Sequence, residues 1–326
     1  MKDSKPLKIS IIMLNYNGLK YLEKTLSPLL VLDYPDYEFI VVDNGSTDGS
    51  LEYIKKETQV ILLQSPKMRA KNFACNYAVN MAQGEFILLL DNDCLITEKG
   101  ILTSLLNCYN LNQDCGLLGL AFYNLGENFS FGYGGFFSRW LYLANNKKIK
   151  NDLLAKFDGQ FIGFPHGLAL FVKKTVWQKL DGYDENLIFG GDDNDLGIKS
   201  WLLGYKNYLY SQSSQIHLGE AERRDNNKYA IKFKEIFYAH LYTIVKNFTF
   251  INLWPALIGQ IVFMFFKSIK QSIFRFYFGP FFAFGQGLIL FFKKIPIACQ
   301  KRKEIQIKRK EKRDVFLKIK PQKIKK

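Results

Sequence analysis

Cysteine is scarce and unpaired in this chain: the five present, Cys75, Cys94, Cys108, Cys115 and Cys299, form no C-x-x-C pair. An odd, scattered set excludes a disulfide-framed module and a cysteine zinc site, and points to reduced core thiols in a cytosolic setting. An export signal is missing too. The apolar run Ile9–Leu14 is six residues long and turns polar at Asn15, shorter than a signal h-region of roughly 7–15 residues. The sequons at Asn44, Asn128 and Asn247 therefore carry no expectation of glycosylation. Nor does any clean apolar run reach the ~20 residues that cross a bilayer as a helix. Two uncharged, aromatic-rich stretches, Leu253–Phe266 and Phe276–Phe292, fall short, and Pro255 and Gly279-Pro280 interrupt them.

Acidic residues are also in deficit, with 45 Lys and Arg against 30 Asp and Glu. The excess is local. From Lys293 to the end there are fifteen bases and three acids (Glu304, Glu311, Asp314), a net +12 that leaves only +3 on the first 292 residues. A near-neutral body excludes nucleic acid as the partner of the main domain, and the basic end fits an anionic membrane surface. The remaining reading of that end is a solvated charged tail. With 48% hydrophobic and 16% aromatic residues in 326, there is ample core material, and disorder is excluded.

The first 120 residues alternate short β-rich runs with helical patterns, as βαβ units do. Strands are expected at Lys8–Leu14, Phe39–Val42, Val60–Leu63, Phe86–Leu90 and Gly116–Phe122, and helices at Leu19–Leu30, Ser50–Glu57 and Asn72–Ala82. The fold class is α/β with a mostly parallel, Rossmann-like sheet, so ligands belong beyond the carboxyl ends of the strands. Residues 124–165 are rich in glycine and aromatics. Phe131–Phe137 contains a G-x-G-G run without a clean preceding strand, which predicts a mobile aromatic loop and not a dinucleotide fingerprint. Apolar spacing from Phe233 to Phe248 predicts a helix packed on the body. The chain divides into a catalytic domain at 1–226, a helical membrane-associating region at 227–298 and a basic tail at 299–326. The apolar stretches fit helices lying in the interface, a short membrane hairpin or a buried subdomain.

Chemistry concentrates at strand ends. The second strand runs into Asp43-Asn44-Gly45-Ser46-Thr47-Asp48-Gly49-Ser50. A carboxylate at the end of a buried strand is costly unless used, which places Asp43 to accept hydrogen bonds from a nucleotide. The same residues also read as a plain turn with Ser46, Thr47 or Asp48 as a cap. The fourth strand runs into Asp91-Asn92-Asp93, whose carboxylates, two apart past a buried strand, suit a hard cation such as Mg²⁺ or Mn²⁺ bridging a diphosphate.

Together, Asn15-Tyr16-Asn17, the run Val41–Ser50, Asn76, Ala82-Gln83-Gly84-Glu85-Phe86 and Asp91-Asn92-Asp93 resemble the nucleotide-sugar domain of a glycosyltransferase of family two. Gly167–Phe171, Gly182-Tyr183-Asp184-Glu185, Phe189–Leu196, Gly204-Tyr205 and His217 continue the order. The segment Lys234–Phe248 resembles the helix after the catalytic domain in the rhamnosyltransferase-like branch.

The resemblance implies a GT-A fold, a nucleoside-diphosphate sugar donor, Mg²⁺ or Mn²⁺, and inversion at the anomeric carbon. Asp43 is then a contact of the base or ribose, with Asn15, Asn76, Asp91 and Asn92 as further nucleotide-sugar contacts. Asp93, with Asp91 and His217, falls on the metal ligands. Asp193, or alternatively Asp192, falls on the catalytic base. The chain departs from the family at Asp192, where Glu is usual, at Asn194, where an apolar residue is usual, and at Pro66–Lys71. That stretch lacks a glycine-rich turn and carries Lys67, Arg69 and Lys71, which touch phosphate or base or form a solvated basic loop. The implied function is a hexosyl- or deoxyhexosyltransferase at the cytoplasmic face of the cell membrane. It acts on a lipid-linked glycan of cell-surface polysaccharide or glycoconjugate synthesis. The alternatives are a polyprenyl-phosphate sugar synthase and a non-catalytic nucleotide-sugar-binding membrane protein.

Overall fold

Strands whose both faces are covered read as continuous apolar runs, and three of the four strands that open the chain, the third, at the sheet edge, excepted, are of this kind. β1 (Ile9–Asn15), β2 (Tyr37–Asp43), β3 (Ile61–Gln64) and β4 (Phe86–Asp91) alternate with α1 (Leu19–Leu29), α2 (Ser50–Ile54) and α3 (Lys71–Met81). Ile11, Ile12, Met13, Val41, Val42 and Leu88 lie wholly buried within them. The computed structural model describes residues 7–68, 70–125, 130–132, 134–139, 142–144, 150–219 and 225–320.

The chain continues through β5 (Cys94–Leu95), α4 (Ile101–Leu111), β6 (Cys115–Asn124), β7 (Ser130–Gly132), β8 (Phe136–Ser138) and β9 (Tyr142–Ala144). It then forms β10 (Ala169–Lys173), α5 (Lys174–Lys179), α6 (Asp192–Leu202) and β11 (Lys206–His217). The main sheet runs β3-β2-β1-β4-β10-β6-β11-β5, with β7 paired onto β6. β1 is parallel to β2 and β4, whereas β10 is antiparallel to both β4 and β6. Register sets Asn15 opposite Asp43 and Leu14 opposite Asp91, so the carboxyl ends of three strands share one edge. From the other end of the sheet, β11 places His217 opposite Cys94, one residue past Asp93. The fold is GT-A, as expected. All five cysteines are free, and three of them are buried.

The aromatic segment differs from the loose loop expected of its composition. Phe136 and Phe137 are fully buried, and Gly135 lies against the Phe164 ring, where a Cβ would stand 1.8 Å from its edge. Absent side chains let the backbone approach, and the phenyl rings fill the space. Tyr133 lies outside the described residues.

Three long helices follow: α7 (Asn226–Asn247), α8 (Phe250–Arg275) and α9 (Gly279–Lys308). Pro255 does not interrupt α8, and Gly279-Pro280 opens α9. Proline at the first turn forfeits only an amide already without a helical partner, and Pro255 removes a single bond near the helix start. Both helices are thus long and apolar enough to cross a membrane by length and composition. Their apolar faces point outward. On α8, Ile251, Trp254, Ile258, Val262 and Phe266 are exposed, while its buried face holds Gln260, Ser268 and Ser272 beside Leu253, Ala256, Leu257 and Met264; the helix is apolar on both sides, where a soluble helix keeps a polar outer face.

Residues 299–320 are not a free tail, and residues 321–326 lie outside the described residues. Helix α9 carries on to Lys308, and the amides of Lys310 and Glu311 donate to the Leu202 carbonyl. Asp314 accepts from the Thr249 amide and hydroxyl and from Asn252 at the start of α8, and Arg309 pairs with it at 2.7 Å. Phe316 is fully buried against Phe137 and Phe248. Much of the local +12 therefore decorates structured chain, because one buried aromatic and one capping acid tie it down.

Candidate active site

At the ends of β1 and β2 the polar side chains bond to one another. Asp43, nearly buried, accepts from Asn15 Nδ2 at 3.0 Å, from the amides of Gly45 and Ser46, and from the Ser46 hydroxyl. Asp48 accepts from the amides of Leu19 and Ser50, which open α1 and α2. The turn reading and the strand-end reading of this run thus coexist: Asp43 shapes the loop beside the cleft. Asn15 Oδ1 accepts from Asn92 Nδ2 at 2.8 Å, which ties β1 to the turn after β4. A cleft of about 310 Å³ opens here, lined by Tyr16, Asn44, Lys71, Asp91, Asn92 and Asp93.

Within that turn the two carboxylates take different partners. Asp91 meets the Lys71 ammonium, with Nζ to Oδ1 at 3.2 Å, and is raised to about 6 by burial, in spite of Lys71. Asp93 instead faces His217, whose Nε2 lies 3.1 Å from Oδ2, while the other Asp93 oxygen is buried with no hydrogen-bond partner among the described residues. His217 Nδ1 stands 3.0 Å from Asn124 Oδ1. A ring donating to that amide oxygen turns the lone pair of Nε2 toward a carboxylate that has only lone pairs. Two acceptors at that distance require a proton or a cation between them. The oxygen and imidazole donors fit Mg²⁺ or Mn²⁺. Among the described residues no three His, Cys, Asp or Glu side chains converge as a metal cluster. A cation here therefore needs ligands from a bound diphosphate or water, as Mg²⁺ commonly takes.

The acidic pair opens α6. Gly190 and Gly191 precede it with φ of 65° and 146°, and a Cβ on Gly191 would stand 2.7 Å from Ala239 of α7. Only glycine allows this approach. Asp192 accepts from the Gly191 amide at 3.2 Å. Asp193 accepts from the Gly167 amide; burial first, then Asp192, push its carboxyl well above the usual range. Burial opposes the charge of Lys71, yet Asp91, then Asp192 and Asp193, hold its ammonium well above the ordinary value. The acidic pair, a hundred residues after the D-x-D turn, is therefore near enough to act electrostatically on the lysine that pairs with Asp91.

Of the described members of the basic stretch, Lys71, at the first position of α3, lines the cleft. Arg69 lies outside the described residues. His166, beside Gly167, carried no sequence signal; burial, then Lys71 and His217, push it to about 4, so it is neutral at physiological pH. Asn76 stands elsewhere: its amide exchanges hydrogen bonds with the Tyr183 backbone and donates to Glu185. Asp91 likewise turns to Lys71 and does not join Asp93 and His217. Behind the acidic pair, Lys246 of α7 bonds Asp184 at 2.6 Å and Asp195 at 2.9 Å, all three buried.

A profile described as "Glycosyl transferase family 2" matches residues 10–174, just over half of the chain. The poly(ribitol-phosphate) beta-N-acetylglucosaminyltransferase TarS of Staphylococcus aureus is 31% identical over 99 residues, covering 28% of this chain and 17% of its own length. The putative teichuronic acid biosynthesis glycosyltransferase TuaG of Bacillus subtilis is 33% identical over 97 residues, covering 28% of this chain and 38% of its own. The chain thus spans less than half the length of these curated relatives. Among solved structures, the mannosyltransferase PcManGT of Pyrobaculum calidifontis, in complex with GDP-Man and Mn²⁺, superposes with a TM-score of 0.54. That match has 17% identity and covers 92% of this chain and 89% of the other, a likeness of fold.

Proposed function

Since this chain belongs to glycosyl transferase family 2, we propose that it is an inverting glycosyltransferase moving a hexosyl or deoxyhexosyl group from a nucleoside-diphosphate sugar to a hydroxyl acceptor. The observation that carries this is the Lys71–Asp91 pair, 3.2 Å apart in the cleft that Asp93 also lines, with Asp192 and Asp193 near enough for their charge to act on the same ammonium. Donor-side and acceptor-side carboxylates then share the charge of one lysine.

Inversion is a single displacement, so a base must take the acceptor proton on the face away from the departing diphosphate. Asp193 is that base in this reading. Its raised affinity for protons strengthens it, and proton transfer is most effective when the base is matched to the working pH. Lys71 keeps Asp91 charged and limits the repulsion that Asp192 imposes on Asp193. Asp91 and Asn92 hold the ribose and diphosphate end, and Asn15 and Asp43 rigidify the loop against which the nucleoside lies. Asp93 and His217 would hold Mg²⁺ or Mn²⁺, which when bound neutralises charge on the leaving diphosphate; the relative solved with Mn²⁺ and GDP-Man supports the choice. Asn76, remote from this cleft, has a positioning role, fastening α3 to residues 183–185.

The acceptor in this reading is a lipid-linked glycan of cell-surface polysaccharide synthesis, met at the cytoplasmic face of the membrane. The outward apolar faces of α8 and α9 and the basic end of the chain support that location. A panel of UDP-, GDP- and dTDP-sugars, screened by thermal shift on the full chain with Mg²⁺ or Mn²⁺, tests the proposal. One donor class should stabilise the protein and lose its effect in EDTA. No stabilisation by any donor would defeat it.

A further inference from the structure

Beyond Lys71 the catalytic cleft adjoins a second cavity of about 350 Å³, which shares Lys71 and Ile188 with it. One wall is Lys67, ahead of α3, and Phe73 in its first turn; another is Leu290 and Lys294 of α9. Leu290 and Lys294 are one helical turn apart and so face the same way. Ile289 and Phe292, on the remaining face of α9, are 56% and 63% exposed. The same helix thus offers an apolar face to its surroundings and a cationic edge to the cavity. Lys67 is poised over the Phe73 ring, its Nζ 5.7 Å from the centroid. Glu185, the acid on this wall, accepts from Asn76 at 3.3 Å.

Cations above apolar walls match an amphipathic anion, and α9 connects the cavity to the apolar exterior. We propose that this cavity seats the diphosphate head of a polyprenyl-diphosphate-linked acceptor. Lys67 and Lys294 grip the phosphates, Phe73 and Leu290 contact the first prenyl units, and the glycan extends past Lys71 toward Asp193. This rests on the transferase reading and assigns its acceptor subsite. A lipid-borne diphosphate is preferred to the nucleotide's own because Lys294 comes from the outward-facing apolar helix, whereas the D-x-D turn lines the other cleft.

Binding to the full chain in detergent, measured by calorimetry, tests it with four probes: farnesyl diphosphate, farnesol, inorganic pyrophosphate and a nucleoside diphosphate from the set UDP, GDP and dTDP. Farnesyl diphosphate should bind in the presence of saturating nucleotide, and about tenfold or more tighter than farnesol or pyrophosphate, since charge-assisted contacts and apolar burial act together. The variant Lys67→Gln/Lys294→Gln, altered at half-buried or exposed positions, should lose that binding by about tenfold or more and keep its nucleotide affinity. Three outcomes would overturn the assignment: unaltered farnesyl diphosphate binding in the variant, displacement of farnesyl diphosphate by nucleotide, or pyrophosphate binding as tightly as the lipid. Failure of the transferase reading looks different, because then none of the three nucleotides binds.

Discussion

Nε2 of His217 and Oδ2 of Asp93 stand 3.1 Å apart across 124 residues of sequence. The pair exists because β11 runs parallel to β6 and ends antiparallel to β5, which delivers His217 to the turn after β4. Asn124 Oδ1, 3.0 Å from Nδ1, holds the imidazole from behind, and in the tautomer that donates to it Nε2 is an acceptor facing Asp93.

The first prediction concerns that pair. Asp93→Ala and His217→Ala should each abolish or weaken metal-dependent donor binding while leaving the far-ultraviolet circular dichroism unchanged, because both side chains end at a turn and outside the core. Loss of a ligand or its supporting contact typically costs about 10–100-fold in metal affinity. Equal Mn²⁺ affinity in wild type and both variants, read by calorimetry, would remove the cation from this position.

A second prediction sets stability against turnover at Asp193. Its folded-state affinity for protons is raised, so the folded protein loses stability as pH climbs from the ordinary carboxylate value, about 3.9, through the raised one. Asp193→Asn mimics the neutral acid. At pH 7.5 it should raise Tm by roughly 1–4 °C while lowering turnover by about 10²–10⁴. In the wild type the acid limb of the rate profile should lie above the ordinary carboxylate range. A variant that is less stable and fully active would exchange the roles of Asp193 and Asp192.

The third concerns what holds the acidic pair in place. Lys246 bridges Asp184, in the loop before α6, and Asp195, one turn into α6. Burial would raise the Asp184 carboxyl, but Lys246 overcomes this and holds it well below the usual range. That contribution is present above about pH 4 and is lost as pH falls toward the depressed value. Lys246→Met strands two buried carboxylates and should cost about 3–5 kcal/mol, with the smaller loss if Lys199, 3.6 Å from Asp195, takes over. Urea denaturation at pH 7 measures it; an unchanged midpoint would mean the network carries no stability.

Fourth, the turn Phe276–Phe278 joins α8 to α9 with Phe276 97% and Phe278 72% exposed. Phe276→Asp/Phe278→Asp should weaken co-sedimentation with phosphatidylglycerol-containing vesicles without lowering nucleotide binding. Undiminished sedimentation would place the membrane contact elsewhere.

Much of this was legible because parallel strands covered on both faces announce themselves as apolar runs, and the chemistry sits at their ends. β1, β2, β4 and the Asp91-Asn92-Asp93 turn come straight from that pattern, and β3 is a short apolar edge strand. Lys71 was not assignable, since a basic residue before a helix looks the same whether it faces solvent or three carboxylates. Only the angle at which α3 packs decides. His166 is a single residue in an irregular segment and carries no period. The burial of Phe136, Phe137 and Phe316 escaped for a related reason: glycine-rich and lysine-rich surroundings lower the local average, while one aromatic inserted among distant neighbours fixes the segment. Pro255 misled because its cost depends on distance from the helix start.

The most direct test of the central claim is proton NMR of donor turnover by the full chain with Mn²⁺ or Mg²⁺, following the anomeric proton of the sugar first released or transferred. The account predicts metal-dependent loss of one nucleotide-sugar class with inversion, so that an α-linked donor gives a β product, and near-silence in Asp193→Asn under saturating donor. Retained configuration, or turnover undiminished in EDTA, would contradict it.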